Sequence, residues 1–347
     1  MRRDPAFNLN RLAGKVIAEG DFLDYKAIGL RSIMDISISI VNYNTQGLLA
    51  ECLKSIYAAL GSILSFEVIV ADNHSGDDSL TLAKQQFPNI KYIENKANLG
   101  FAKATNQTIQ QSSGRYVFLL NPDTAVMGEA IQRMFSYMEE HRDIGILGCK
   151  LVMPGNIIHR NCSPFPWLLL VLENPFNIFK IPYWVYQRVK LARSDYGTAQ
   201  DVDWILGSAL MVRRQAFEKA GLLDERFFMY TEDMELCYRM KRRGFRIRYI
   251  PDAVILHHQN VSGNKEFGLK KRLIEYISVQ KLFEKYSGKL GLIAGFLAHI
   301  MGNAIKIFFY IFLMIGKWRE RKRLKSQLLL WLFTLKGILK LGWNPDY

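Results

Sequence analysis

The stretch ISISIVNYN (residues 36–44) decides the fold. Isoleucine and valine dominate residues 36–41, the pattern of a buried strand. The run closes on three polar residues, Asn42, Tyr43 and Asn44. Helical spacing follows at Leu49, Cys52, Leu53, Ile56, Tyr57 and Leu60. A second apolar run, Val68–Ala71, ends at Asp72-Asn73-His74, and Ser75, Gly76, Asp77 and Asp78 make a turn and a helix start. The same unit then repeats. A strand is expected at 90–93, a helix over 101–111, and a buried strand YVFLL at 116–120 that ends in Asn121-Pro122-Asp123. A further helix carries Met127, Ile131, Met134, Phe135 and Met138 on one face. Strands alternating with helices predict an α/β domain with a mostly parallel, doubly wound sheet. Ligands of such sheets bind beyond the carboxyl ends of the strands. Three polar clusters fall there, so a site is expected among them.

Residues 154–200 are less regular, with five prolines and many aromatics, and read either as an apolar insertion near the site or as a packed loop. Order returns with a strand at Ser208–Arg213. A helix follows, capped by Thr231 and ended by Gly244, and then strands at 246–250 and 253–257. The division expected is an N-terminal extension (1–34), a catalytic domain (35–263) and a helical tail (264–347). Met34 directly precedes the first strand. Residues 1–33 therefore read as a translated upstream stretch or as a basic arm, and they show no secretory signal pattern.

The chain has 347 residues and a formal net charge of +14. The excess sits in residues 264–347, with 16 Lys and Arg against 5 Asp and Glu. That stretch also holds the apolar run 290–316. A basic apolar tail suits an anionic membrane surface. Nucleic acid is the rival partner, but no helix-turn-helix or RNA-binding signature accompanies the charge, so none is expected. The four cysteines form no C-x-x-C pair, which suggests neither a zinc site nor a disulfide framework.

Four carboxylate or imidazole positions carry chemistry. Asp123 follows a strand and is fixed by Pro122 in a tight turn, where it can ligate Mg²⁺ or Mn²⁺. By itself Asn-Pro-Asp is also an ordinary turn. Asp72 can accept a hydrogen bond from a pyrimidine N–H or cap the helix after it. Glu232 and Asp233 begin a helix, where acidic residues commonly serve the helix dipole. Adjacent helical positions point about 100° apart, so one of the pair can face a cleft. Asp233 is expected there as a general base, with Glu232 beside it in the acceptor site. Only one of His257 and His258 can face the site from a strand. His257 is expected as the second metal ligand, with a structural role as the alternative.

Read in order, SIVNYN (39–44), VIVADNHSGD (68–77), NLGFAKATN (98–106), FLLNPDT (118–124), WILGSALMVRR (204–214), ERFFMYTEDMELCYRMKRRGF (225–245) and ILHHQNVS (255–262) resemble the family 2 glycosyltransferases, within them the bacterial rhamnosyltransferase-like group. The resemblance implies a GT-A fold, Rossmann-like with a mostly parallel sheet flanked by helices. It implies inverting, metal-dependent transfer of one sugar from a nucleotide-diphosphate donor, with dTDP-rhamnose the leading candidate. It places Asp72 at the nucleobase, with Asn42, Tyr43, Asn44, Asn73 and Asn121 in the nucleotide site. Asn121-Pro122-Asp123 stands at the D-x-D position, Asp233 as the base, and His257 joins the metal five residues before Ser262. Trp204 and Gly207 line the donor and acceptor pocket. Asn121 replaces the first D-x-D carboxylate. No Q-x-x-R-W motif follows the E-D pair, which argues for single-sugar addition rather than polymerisation. A nucleotidyltransferase would need a Gly-rich loop bearing Lys or Arg after the first strand, and VNYNTQG has neither cation. A nucleotide-sugar-binding protein without turnover remains the alternative.

Within 290–316, His299, Asn303, Lys306 and Tyr310 form one polar stripe, as on an interfacial helix. Basic clusters flank both ends of the run, against a single span. The expectation is a helix lying on the cytoplasmic face of a bacterial plasma membrane, near a lipid-linked saccharide acceptor of surface polysaccharide synthesis. A helical hairpin packed on the catalytic domain is the other reading.

Overall fold

The structure is a computed structural model. It describes residues 34–166, 196–258, 270–316 and 321–342, apart from Ser62, with a few isolated positions between 167 and 195. Residues 1–33, Ser262 and the centre of the expected insertion lie outside the described residues.

The chain opens as β1 (Ile36–Asn42), α1 (Leu48–Leu60), β2 (Phe66–Asp72), α2 (Ser79–Gln86), β3 (Lys91–Glu94), α3 (Phe101–Gln110) and β4 (Tyr116–Leu120). β1 pairs in parallel with β2 and β4, and β2 with β3. Ile36, Ile38 and Ile40 are fully buried on one face of β1 with Leu49, Leu53 and Ile56 of α1. Burying each such side chain contributes about 1.5–3 kcal/mol. The intervening serines are buried too, and each has a partner. Ser37 Oγ donates to Glu67 at 2.7 Å, and Ser39 meets Thr108. Both faces of β1 are therefore covered, as a central parallel strand requires.

The second half follows as β5 (Thr124–Met127), α4 (Ala130–Glu140), β6 (Ile144–Met153), β7 (Ile157–His159), β8 (Cys162–Ser163), β9 (Gln200–Asp201), β10 (Trp204–Ile205), β11 (Ala209–Arg213), α5 (Arg214–Ala220), α6 (Glu232–Arg242) and β12 (Arg246–His257). The main sheet runs β3-β2-β1-β4-β11-β6-β12-β5. Beyond β4 it is mixed rather than mostly parallel. β11 is antiparallel to β4 and β6, and β5 to β12. The parallel expectation came from helices between strands, whereas β11 arrives through the irregular segment, which imposes no parallel crossover. The two strands expected at 246–250 and 253–257 are one strand whose register shifts between Ile250 and Val254, at Pro251. The four cysteines are buried and free.

Two tail helices complete the chain, α7 (Lys271–Gly316) and α8 (Arg321–Leu341). α7 bends at Gly288, whose φ of 56° suits glycine. Before the bend it belongs to the catalytic core. Lys285 pairs with Asp224 at 2.7 Å and with buried Glu235 at 2.5 Å. Ser278 Oγ donates to Met229 O at 2.8 Å, and Leu282 and Phe283 are buried. After the bend the helix returns alongside its own first half. A Cβ on Gly295 would lie 2.7 Å from Gln280 Oε1, and the His299 ring packs edge-on to Tyr276 at 5.0 Å. Of the expected polar stripe, His299 and Asn303 are thus turned inward and Lys306 stays exposed. Asn303 is buried and Lys306 lies over Trp331, while Leu297, Met301, Ile305, Phe308 and Phe312 face outward.

Candidate active site

The carboxyl ends of β1 and β4 meet the loop before α6 and the end of β12 at one cleft of about 610 Å³. Tyr43, Asn73, Asn121, Asp123, Trp204, Gly207, Glu232, Asp233 and His257 all line it. Three of the expected residues do not. Asn42, Asn44 and Asp72 stand behind the wall in a network of their own. Asp72 Oδ1 accepts from Asn42 Nδ2 at 2.7 Å and from Ser75 Oγ at 2.7 Å, and Oδ2 accepts from Ser75 N at 2.9 Å. Asn44 Oδ1 accepts from Gly76 N at 2.8 Å. The network fixes the turn between β2 and α2. Asn73 also braces the wall, donating to Gly100 O at 3.0 Å.

Asp123 and His257 come together because β5 and β12 pair with Thr124 opposite His257. Both are buried, and His257 Nε2 stands 3.3 Å from Asp123 Oδ1. The other ring nitrogen, Nδ1, is 3.0 Å from Nδ1 of His159. Sequence reasoning missed His159. Burial first, and the neighbouring His257 ring second, push His159 down to about 4, so it is neutral at pH 7 and retains an acceptor nitrogen. Among the described residues no three or more His, Cys, Asp or Glu are grouped to hold a metal. A carboxylate and an imidazole that converge at a cleft wall still fit an ion that takes few protein ligands. The imidazole suits Mn²⁺ better than Mg²⁺, which prefers oxygen throughout.

Across the cleft, Glu232 and Asp233 open α6. Tyr230 and Thr231 just before them both have positive φ, 68° and 74°. Such non-glycine conformations are costly and cluster at functional sites. Thr231 occupies the N-cap position but makes no side-chain capping bond. The turn is braced from outside instead. Phe101 N donates to Phe228 O at 2.7 Å, and a Cβ on Gly100 would lie 2.5 Å from that oxygen, so this close approach needs glycine.

Asp233 Oδ2 accepts from Gly207 N at 2.8 Å, and Oδ1 from Met234 N at 2.7 Å. Burial pushes the Asp233 carboxyl above its ordinary range, against the pull of those N–H groups. Glu232 is raised well above its range by burial and then by the charge of Asp233, and its buried Oε2 has no hydrogen-bond partner. The two neighbouring carboxyls are thus pushed up together, Asp233 held by backbone donors and Glu232 left with an unpartnered oxygen at the cleft. Trp204 is held by its Nε1–H to Pro164 O at 3.2 Å. Tyr230, Lys271 and Glu275 also line the cleft. The last two bring the tail to its rim.

Comparison with known proteins agrees with this geometry. The sequence model for glycosyl transferase family 2 matches residues 37–180, and that for glycosyl transferase family group 2 matches residues 116–341. The chain is 30% identical over 217 residues to an N-acetylglucosaminyl-diphospho-decaprenol L-rhamnosyltransferase of Mycobacterium tuberculosis, covering 57% of this chain and 68% of that one. It is 26% identical over 203 residues to rhamnosyltransferase WbbL of Escherichia coli, covering 56% and 73%. Among solved structures, it is similar to a mannosyltransferase of Pyrobaculum calidifontis in complex with GDP-Man and Mn²⁺, with TM-score 0.53, 14% identity and coverage of 90% and 88%. It also resembles GalNAc-T7 with UDP, GalNAc and Mn²⁺, with TM-score 0.54 and 15% identity, over 74% of this chain and 49% of that one. At such identities the two structures bear on the fold alone, which is the GT-A arrangement.

Proposed function

The chain belongs to glycosyl transferase family 2, as a rhamnosyltransferase-like nucleotide-sugar glycosyltransferase, and from that premise we propose that it transfers one rhamnose from dTDP-rhamnose to a lipid-linked saccharide with inversion. The observation that carries the mechanism is Asp233, buried at the cleft and oriented by the Gly207 and Met234 N–H groups. The acceptor hydroxyl gives its proton to Asp233 as its oxygen bonds to the sugar's anomeric carbon. The bond from that carbon to the diphosphate breaks, and the nucleoside diphosphate leaves with the electron pair. The raised affinity of Asp233 for protons brings the base nearer to working pH. Glu232, with its unpartnered Oε2, hydrogen-bonds a second acceptor hydroxyl and helps orient the sugar.

Asp123 and His257 would hold Mn²⁺ or Mg²⁺, which when bound offsets the negative charge that grows on the leaving diphosphate. To ligate through Nε2, His257 must carry its proton on Nδ1. His159, neutral and 3.0 Å away, accepts that proton's hydrogen bond and fixes the tautomer. Tyr43 offers an aromatic face to the nucleobase, and the asparagines at the strand ends offer amides. The assay is rhamnose transfer from dTDP-rhamnose with Mn²⁺ and a polyprenyl-diphosphate-linked saccharide. Transfer from a different nucleotide sugar alone would correct the donor.

The lipid-linked acceptor is supported by the relative named for a diphospho-decaprenol substrate and by the tail. The helix Lys271–Met314 is long and apolar enough to cross a membrane, with mean hydropathy 1.7 over an 18-residue window. Bent at Gly288 and folded back, it presents its apolar side outward, which supports a helix lying on the membrane. We place that side in the cytoplasmic leaflet, where the basic residues meet anionic headgroups. Removing residues 289–347 leaves the docked segment 271–287 in place. The truncated protein should leave vesicles containing phosphatidylglycerol. The full chain should stay on them at about 1 M salt, where charge attraction reaches only about 3 Å. Salt release of the full chain, or retention of the truncated one, would remove the inserted face.

A further inference from the structure

We propose that Arg272, Lys306 and Trp331 form a binding site for a phosphate carried on a lipid, at the rim of the cleft. The proposal rests on the reading that the acceptor is lipid-linked. The fold brings together three residues that are far apart in sequence. Arg272 lies in the first turn of α7, Lys306 on its returning half, and Trp331 on α8. α8 packs against the start of α7, where a Cβ on Gly337 would lie 2.6 Å from Leu273 Cδ2.

The Arg272 guanidinium carbon lies 3.9 Å from the centre of the Trp331 ring, and Lys306 Nζ lies 4.0 Å from it. Two cations on one indole are within a Debye length of each other, about 8 Å at physiological salt, and repel. Cation–π attraction holds each in place at about 0.5–2 kcal/mol. Neither makes an ion pair with a carboxylate among the described residues. The Trp331 Nε1–H is itself buried without an acceptor. Two cations therefore lie over one indole, and Glu275, near enough to feel the charge of Arg272, is not ion-paired with it. The missing complement is an anion rich in oxygen acceptors, and a phosphate satisfies both the charge and the donors.

Its location says which phosphate. On one side, neighbouring Lys271 and Glu275 line the cleft. On the other side, α7 continues past Lys306 into exposed Phe308, Phe309 and Phe312. The cations thus stand between a sugar-sized opening and an apolar surface. A glycosylated lipid phosphate has that order of parts: sugar, phosphate, hydrocarbon. Two sources share the chemistry, the acceptor's diphosphate and an anionic phospholipid headgroup.

The test uses the full chain and three kinds of vesicle. One is plain phosphatidylcholine, one carries farnesyl diphosphate, and one carries phosphatidylglycerol. Wild type should prefer the farnesyl diphosphate vesicles to plain ones. The double variant Arg272→Gln and Lys306→Gln should lose about tenfold or more of that preference. Arg272→Lys, which keeps the charge, should retain most of it. A loss confined to farnesyl diphosphate vesicles upholds the site with the acceptor as its source. A wild-type preference for phosphatidylglycerol alone, lost in the double variant, upholds the phosphate site but removes the lipid-linked acceptor. Unchanged binding of the double variant to both charged vesicles overturns the proposal. Should the pair of changes unfold the protein, Lys306→Gln alone, at an exposed position, makes the same comparison with a severalfold loss.

Discussion

Asp233→Asn lowers transfer by about 10²–10⁴-fold, the usual cost of losing a general base, while the donor's affinity stays within a few-fold of wild type. The amide fills the same space and can still accept from Gly207 N through its oxygen. It cannot take a proton from the acceptor. On the proposed reading the donor's diphosphate lies at Asp123 and His257, so binding should be spared. Calorimetric titration with the nucleotide sugar, beside a transfer assay, separates the two quantities. Transfer within tenfold of wild type would take Asp233 out of the mechanism. The wild-type pH profile carries the same information. Transfer needs Asp233 ionised, and burial raises its proton affinity. Activity should therefore be present at higher pH and fall as pH drops through a midpoint above the ordinary aspartate range. That acid limb should be missing from the residual activity of the Asn variant.

Asp123→Ala should abolish the tightening of donor binding by Mn²⁺. On the proposed reading the carboxylate is one of two groups among the described residues that would join the ion to the diphosphate, so little else there compensates. The loss should exceed the roughly 10–100-fold that removal of a ligand's supporting partner typically costs. His159→Phe supplies that smaller step. It keeps a ring against His257 but removes the acceptor that fixes the tautomer, so Mn²⁺ affinity should fall about 10–100-fold. His159→Asn, which retains an acceptor oxygen, should recover much of it. Mn²⁺ binding can be followed by electron paramagnetic resonance without any turnover. Equal enhancement by Mn²⁺ in Asp123→Ala and wild type would refute the ligand assignment.

Much of this site could be read from the chain because it lies where local pattern and topology coincide. A polar cluster at the end of an apolar run must emerge at a sheet edge, which is why Asn121-Pro122-Asp123 was visible. The E-D pair was visible as a helix start, and the family resemblance supplied its role. His159 was not visible. It sits on a three-residue strand in the irregular segment, and its partner is 98 residues away. The direction of β11 was hidden for the same reason, since only the long connection sets it. Asp72 shows a different limit. Its oxygens accept from Asn42 and Ser75 and it does not line the cleft here, and sequence carries no information on such partners. In the tail, periodicity located the polar stripe of His299, Asn303 and Lys306. A period says which residues share a face, not what that face meets. Here it meets other helices, and the apolar face is left outside.

The central claim is a single displacement in which one carboxylate, Asp233, takes the acceptor proton while the diphosphate leaves from the opposite side of the sugar. The stereochemistry of the product records that event directly. The measurement is the anomeric configuration of the newly transferred sugar, read by nuclear magnetic resonance from one-bond carbon–proton couplings. It is made on product formed from a nucleotide sugar of known anomeric form with Mn²⁺ present. The account predicts inversion relative to the donor. Retention would require a covalent intermediate or attack from the leaving-group side, and would contradict it.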